Sequence, residues 1–476
     1  MKKGFTLIEL LAVIVVLALI ALIAIPQITK VTNKAKESAN KRSLEGHIEN
    51  MNLQMAMNIS NNDYADKTYT FDEFNFANYK AKDNIRCESY KVVNGAVVEA
   101  TNCIINKKVY CYNKNGASTC GDDSNLVTGT TGDLTWYINL SNNTLTIDGK
   151  GKMADYTESS LAPWYKYKEY IKHIVVGEDV TKLGNYAFYE LVDVETLRIN
   201  SKSLQDFPRQ ADNPNIGTNY ALHHIGQNVG TTVIFGPNVT RVPNMLMNPS
   251  GYGHDKTNVI NFIFEGNKIS FVGAYGFAYY KGNILVVPEG VNGHAGLSFG
   301  YGKTKLLIFP DSLVGFGDWS ITGNEKLNKI VFGPNTNVIP KKSISNSPKL
   351  TTIVLPHINN TASNGLSLQK DKTITIYGDA TTEEWVNNLK AESGQTNLVY
   401  KNINEYKSSI TSNTNITGSV GYNGTFTFES SGNVKVYYKY VDSTGNEALS
   451  NPISVLKNGT SYTIEKIKSD IYIEVK

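Results

Sequence analysis

The sequence predicts an α+β modular chain: a long N-terminal helix able to span a membrane, a small β-meander head, a parallel-β solenoid and a C-terminal β-sandwich. Three observations carry this expectation. The chain opens on the apolar stretch Phe5 to Ile25, all four cysteines fall between Cys87 and Cys120, and short β-branched runs ending in Gly or Pro recur every 22 or 23 residues from Gly266 to Gly378. At roughly 150 residues per domain, 476 residues call for several modules. Hydrophobic content of 41% with 39 Gly and 28 Tyr excludes a disordered chain. The balance of 46 basic against 43 acidic residues excludes a nucleic-acid binder working by bulk charge.

The first stretch is apolar except for Thr6 and Glu9, and at 1.5 Å per residue it reaches about 32 Å, enough for a bilayer core. Lys2 and Lys3 precede it in a leader too short for an ordinary signal peptide with an Ala-x-Ala site, so the positive end stays in the cytoplasm. A carboxylate inside a spanning segment costs about 2.5–3.5 kcal/mol and needs a partner, which singles out Glu9. After Pro26 the apolar positions Ile28, Val31, Ala35, Ala39, Leu44, Ile48, Met51, Met55 and Ile59 recur at mostly three- and four-residue steps. They continue the helix over 5–60 as a rod of about 80 Å whose second half packs on the head; a free-standing coiled-coil stalk is the alternative.

Lys2-Lys3-Gly4-Phe5-Thr6-Leu7-Ile8-Glu9-Leu10-Leu11 resembles the processing site of type IV prepilins and pseudopilins. The resemblance implies cleavage between Gly4 and Phe5, with residues 1–4 as leader, and N-methylation of Phe5. It also implies a filament-assembly role for Glu9, paired with the free amine of a neighbouring subunit, and a helix kink at Pro26. The partners implied are other pilin subunits, the prepilin peptidase/methylase and, before assembly, the membrane. The competing reading is a plain signal anchor whose Glu9 snorkels to the interface.

Residues 61–125 match no named family but read as short strands, Ile85 to Val92, Ala96 to Ile105 and Lys108 to Tyr112, joined by Asn94-Gly95 and Asn106-Lys107 turns. Cys87, Cys103, Cys111 and Cys120 lack the Cys-x-x-Cys pairs of zinc sites and point to two disulfides in an exported segment. Of the three connectivities, Cys87 with Cys103 and Cys111 with Cys120 is preferred because each closes a short local loop.

The β-branched runs end at Gly177, Gly236, Gly266, Pro288, Pro310, Gly333, Pro356 and Gly378. This period is the signature of a leucine-rich-repeat solenoid, in which each turn adds one strand to a parallel sheet. Together with Ala162-Pro163-Trp164-Tyr165 and the pair Leu183-Gly184-Asn185-Tyr186-Ala187-Phe188 and Val272-Gly273-Ala274-Tyr275-Gly276-Phe277, the region 133–400 resembles the BspA-like leucine-rich repeats of bacterial surface proteins. That family is associated with adhesion, which implies an extracellular protein or glycan ligand. Two residues before each marker stand Val175, Ile234, Phe264, Val286, Ile308, Val331, Val354 and Ile376. Their neighbours are also largely apolar, so one apolar row lies on the outer face, a candidate docking row for a partner or for the C-terminal module. The alternative is that Val and Ile are simply good strand formers. Residues 408–476, with runs such as Asn433 to Asp442, read as an antiparallel sandwich resembling bacterial immunoglobulin-like modules.

Gly296-Leu297-Ser298-Phe299-Gly300 fits the nucleophile-elbow pattern, with His294 nearby. The repeat register argues against a hydrolase: ten residues past the markers lie Ala187, Gly276, Ser298, Ser320 and Ser343, and eleven past lie Phe188, Phe277, Phe299, Ile321 and Ile344. Ser298 is the small residue of a packing slot. The adjacent pair His223-His224 lacks metalloprotease spacing, so no metal, cofactor or catalytic residue is expected. The functional expectation is a type IV pilin-like filament subunit, minor because a head of this size would crowd lateral packing, displaying the repeats for adhesion. It would be a single-pass membrane protein before assembly and then part of a pilus or cell surface. The rivals are a pseudopilin of a type II-like secretion or DNA-uptake machine and a pilus-tethered hydrolase.

Overall fold

In the computed structural model the described residues are 7–57, 66–70, 85, 87–120, 125–207, 220–247, 257–340, 342–361, 365–368 and 371–476. They form two compact units, one built from the N-terminal helix and the cysteine-bearing sheet, the other from Thr128–Ile138 and Asn143–Lys476.

In the first unit, α1 (Leu7–Met57) is one 51-residue helix running through Pro26. Leu44, Ile48, Met51 and Met55, at steps of four, three and four, share one face, and that face is buried against Tyr90, Val92, Val97, Ala100 and Tyr110. The packing is shorter than the apolar period suggests, since Ile28 and Val31 are exposed within the chain. Polar groups pin the helix where it meets the sheet: Asn40 donates to the Tyr110 hydroxyl at 3.0 Å and the Val97 amide donates to Asn52 at 2.7 Å. The sheet is an antiparallel meander, Thr68–Thr70, Ser89–Val93, Ala96–Ile105, Lys108–Asn113 and Gly116–Thr119, in chain order. Its Asn94-Gly95 and Asn106-Lys107 corners have positive φ at both residues, as a hairpin twisted like its strands requires. Cys87 is bonded to Cys103 and Cys111 to Cys120.

No helix among the described residues is long and apolar enough to cross a membrane. The spanning stretch expected from Phe5 to Ile25 is therefore not found there; Phe5 and many of that stretch's side chains lie outside the described residues.

In the second unit, the strands at the sequence markers, with Thr196–Ile199 between the first two, pair in parallel. His173–Val176, Thr196–Ile199, Thr231–Phe235 and Val259–Phe264 are consecutive neighbours, preceded in the same sheet by Leu126–Thr131, Leu134–Asn139 and Thr144–Asp148. A second parallel sheet follows: Ile284–Val286, Leu306–Ile308, Lys329–Val331, Thr352–Val354, Ile374–Gly378 and Leu398–Asn402. Its inner row, Leu285, Leu307, Ile330, Ile353 and Ile376, is buried. Aromatic rings pack from repeat to repeat, Phe262 with Phe277 and Phe277 with Phe299 tilted, Phe299 with Phe309 edge-on and Phe309 with Phe332 stacked, with centroids 4.7–5.9 Å apart. Nine residues past six of the markers, Tyr186, Met245, Tyr275, Leu297, Trp319 and Lys342 all adopt positive φ, a conformation that costs a non-glycine residue about 1 kcal/mol or more. The same strained position in each turn marks one repeated backbone. α2 (Ala380–Ser393) follows the Ile374–Gly378 strand, N-capped by Asp379 and ended by Gly394 in the left-handed region, with Trp385, Val386 and Leu389 buried.

The last seventy residues make two small sheets. One is ordered Gly418–Gly421, Lys407–Ser412, Ile471–Val475, Val434–Val441, Glu447–Ile453; the other is Gly424–Glu429, Ser461–Ile467, Leu456–Asn458. All pairs are antiparallel except Lys407–Ser412 with Ile471–Val475.

Candidate functional site

Register decides which residues share the outer face. In the first parallel sheet Val175 pairs with Arg198, Arg198 with Ile234 and Ile234 with Ile263. Phe264, expected in this row, instead pairs with the core residue Phe235, because a bulge between Thr231 and Thr232 shifts the partner strand by one. In the second sheet the outer row runs Val286, Ile308, Val331, Val354 and then Tyr377. Ile376, also expected in it, belongs to the inner row opposite Ile353. Counting from the closing Gly or Pro misplaces both residues by the single step that moves a side chain to the opposite face.

The two halves of the outer face differ. Val175 and Ile234 are half-buried, whereas Ile308, Val331 and Val354 are 0–2% exposed. What covers them is the C-terminal module: they form one cluster with Tyr406, Val436, Tyr438, Ile464, Ile471 and Ile473. Burying each such aliphatic side chain is worth about 1.5–3 kcal/mol. The lysines beside the row are taken up too. Lys329 donates to Ser469 at 3.0 Å and lies 4.9 Å over the Tyr406 ring, and Lys305 pairs with Asp442 at 3.4 Å. Backbone carbonyls of the sheets accept from the module as well: Phe332 from the Tyr422 hydroxyl, Phe309 from the Lys468 ammonium at 2.9 Å, and Phe262 from the Asn451 amide at 2.6 Å. Burial pushes the hydroxyls of Tyr422 and Tyr438 far above the ordinary tyrosine range.

At one edge of this seam lies a group of four charges. Lys468 Nζ is 2.7 Å from Asp311 Oδ1 and 3.6 Å from Glu289 Oε1, and Lys466 Nζ is 3.0 Å from Asp311 Oδ2. Burial alone would raise the Asp311 carboxyl, but the two ammonium groups beside it outweigh burial and hold it below the usual carboxylate range.

Among the described residues, His173, Val175, Thr196, Arg198, Thr232 and Ile234 on the first sheet's outer face are not part of the module's cluster, and all are half-buried. Arg198 is held flat across it by a two-pronged pair with Glu265, at 2.7 and 2.6 Å, and His173 Nδ1 lies 2.9 Å from the Thr196 hydroxyl.

Ser298 is fully buried, with Oγ 2.5 Å from the Ala295 carbonyl and 3.1 Å from that of Gly273. His294 packs edge-on to Phe299 and Phe316, and burial pushes its imidazole down to about 4. The hydroxyl thus donates to the backbone of its own turn, and Ser320 and Ser343 are buried at the equivalent positions. No group of His, Cys, Asp or Glu among the described residues is arranged to hold a metal ion. Gly4 and Phe5 lie outside the described residues, as do the side chains of Glu9 and Pro26.

Residues 163–211 and 251–370 match the BspA type leucine rich repeat region in six copies. The repeats are of the BspA leucine-rich type. Residues 1–25 match the prokaryotic N-terminal methylation motif. Neither matched family is an enzyme family. Among solved structures, a leucine-rich repeat protein from Eubacterium ventriosum is 17% identical, aligning 59% of this chain with 86% of its own at a TM-score of 0.24. A leucine rich cell surface protein from Faecalibacterium prausnitzii is 15% identical over 58% of this chain and 95% of its own, TM-score 0.21. The leucine rich repeat protein of T. pallidum is 9% identical over 54% and 93%, TM-score 0.26. No curated protein matches the chain.

Proposed function

We propose that this chain is a type IV pilin-like filament subunit, incorporated sparsely, that displays its BspA-type repeats at the cell surface for adhesion. The observation that carries this reading is the joining, in one chain, of an N-terminal methylation motif at 1–25 to surface-type repeats. The motif continues directly into α1, whose far half packs on a disulfide-bonded meander, a layout suited to export and to a helix-cored filament. On this reading Gly4-Phe5 is the cleavage site, Phe5 is methylated, residues 5–25 cross the membrane before assembly, and Glu9 meets a neighbouring subunit's amine. The parallel sheets form a solenoid and the two C-terminal sheets a sandwich lying on it. The ligand face is then the uncovered outer face around Val175, Thr196 and Ile234, whose half-buried aliphatic and hydroxyl groups suit a protein or glycan surface better than a highly charged polymer.

Mass spectrometry of the N-terminal peptide from surface-sheared material tests the first half. A methylated Phe5 terminus is expected, and Met1 retained in filaments would overturn it. For the second half, the secreted region from Thr128 onward is applied to a glycan and matrix-protein array beside its Val175→Asp/Ile234→Asp variant. Binding lost in the variant is expected, and equal binding would move the ligand face elsewhere.

A further inference from the structure

Lys468 is the most buried amine in any ion pair among the described residues. Its side chain is 4% exposed and that of its partner Asp311 is 15% exposed, while every other lysine–carboxylate pair has at least one member more than a fifth exposed. Such a pair costs more desolvation than its attraction commonly returns. The contact is also not that of an ordinary ion pair. Nζ stands 2.7 Å from Oδ1, yet Oδ1 accepts no aligned hydrogen bond. Instead Nζ donates to the Phe309 carbonyl at 2.9 Å, which fixes the amine against the carboxyl group. The other oxygen, Oδ2, is met by Lys466 at 3.0 Å. A second carboxylate, Glu289, lies 3.6 Å from Nζ, and its Oε1 accepts from the Asp311 backbone amide at 3.1 Å.

These positions correspond to the parts an amide-forming site needs: a desolvated amine, a fixed carboxyl carbon, a cation on the oxygen that gains charge, and a base within reach of the amine. We propose that Lys468 and Asp311 become joined by an isopeptide bond, a covalent weld between the C-terminal module and the repeats. Nζ attacks Cγ of Asp311. The charge that builds on Oδ2 is met by Lys466, and Oδ2 becomes the amide oxygen. Nζ gives up two protons, relayed by Glu289 to Oδ1, and the Cγ–Oδ1 bond breaks to release one water. An ammonium and a carboxylate are thereby converted to an amide and a water, so no oxidant, nucleotide or other reactant is consumed.

In bulk water this balance favours hydrolysis. Reacting groups held in contact, however, act at effective concentrations of about 10⁵–10⁸ M, well above that of liquid water, and the 4% and 15% exposure of the two reacting side chains restricts the return of water. The product also removes two charges from a site where only one end reaches solvent.

The test is the mass of the full chain after reduction of its disulfides, followed by tryptic mapping. The expected result is a chain lighter by one water and a branched peptide joining the Asp311 segment to the Lys468 segment. Lys468→Arg, which keeps the charge but cannot form the bond, is expected to restore the full mass, and Glu289→Gln to slow its loss during incubation. A wild-type mass equal to that of the sequence overturns the proposal. So does a water loss that maps to a single linear peptide, the mark of a succinimide. Both readings come from the wild-type chain and hold even if a variant fails to fold.

Discussion

Tyr422 donates its hydroxyl to the main-chain carbonyl of Phe332 at 2.7 Å, linking residues ninety positions apart. The carbonyl belongs to the residue after the Lys329–Val331 strand, and the tyrosine to the C-terminal module that lies over it. Removing the hydroxyl with the module still in place would leave this buried carbonyl unpaired, at about 1–3 kcal/mol. The module is therefore part of the stability of the second parallel sheet.

Replacing Ile308 and Val331 together by threonine is expected to lower stability by about 3–5 kcal/mol, through lost burial and two hydroxyls with no partner under the module. The same exchange at Val175 and Ile234 is expected to cost less than about 1 kcal/mol, because those side chains are only half-buried. Urea titration of the two double variants checks the contrast, and equal losses would mean that the two halves of the outer face are covered alike.

Glu9→Val is expected to leave membrane insertion intact or improved, since it removes a charge costing about 2.5–3.5 kcal/mol in a spanning segment, while incorporation into filaments falls. Fractionation of membranes and sheared filaments separates the two effects. Normal incorporation would show that the charge is dispensable for assembly.

His294 supplies a pH dependence. Its folded-state value near 4 lies below the 6.5 of an exposed imidazole, so between those limits the unfolded chain binds a proton that the folded chain refuses. Stability is fully present above about pH 6.5 and is lost as the pH falls toward 4, at up to about 1.4 kcal/mol per unit. Thermal melts at pH 7 and pH 5 are expected to differ less in His294→Phe than in the wild type, and an unchanged difference would place the dependence on other groups.

Reducing Cys87–Cys103 and Cys111–Cys120 is expected to destabilise the helix–meander unit by about 2–4 kcal/mol per bond and to leave the repeat unit's transition in place. Calorimetry with and without reductant checks this, a single transition being expected to move.

Much of the repeat region was legible because its period is written in β-branched runs and closing Gly or Pro residues. The faces were not. Phe264 and Ile376 show why: a one-residue bulge, or a strand one residue longer, leaves the motif intact and reverses which side of the sheet a side chain occupies. The edge strands Thr68–Thr70 and Gly116–Thr119 were missed because they are short and polar, with little alternation to read. The sequence offers both an outside partner and the C-terminal module as cover for Ile308, Val331 and Val354, and does not choose between them, since an apolar row alone does not name what packs on it. Ser298 was legible as packing because Ser320 and Ser343 repeat it in register.

The C-terminal module lies on the second parallel sheet and meets the first, among the described residues, at its last strand, where Asn451 bonds Asn261 and the Phe262 carbonyl. If a ligand grips the first sheet and the other end of the chain is held by its N-terminal helix, tension runs along the backbone between them. Everything from Ile284 onward then hangs outside the line of pull. Apart from the Asn451 bonds to Asn261 and Phe262, the module and the sheet beneath it stay out of that path, so a pull would be borne by the meander and by the strands from Leu126 to Phe264.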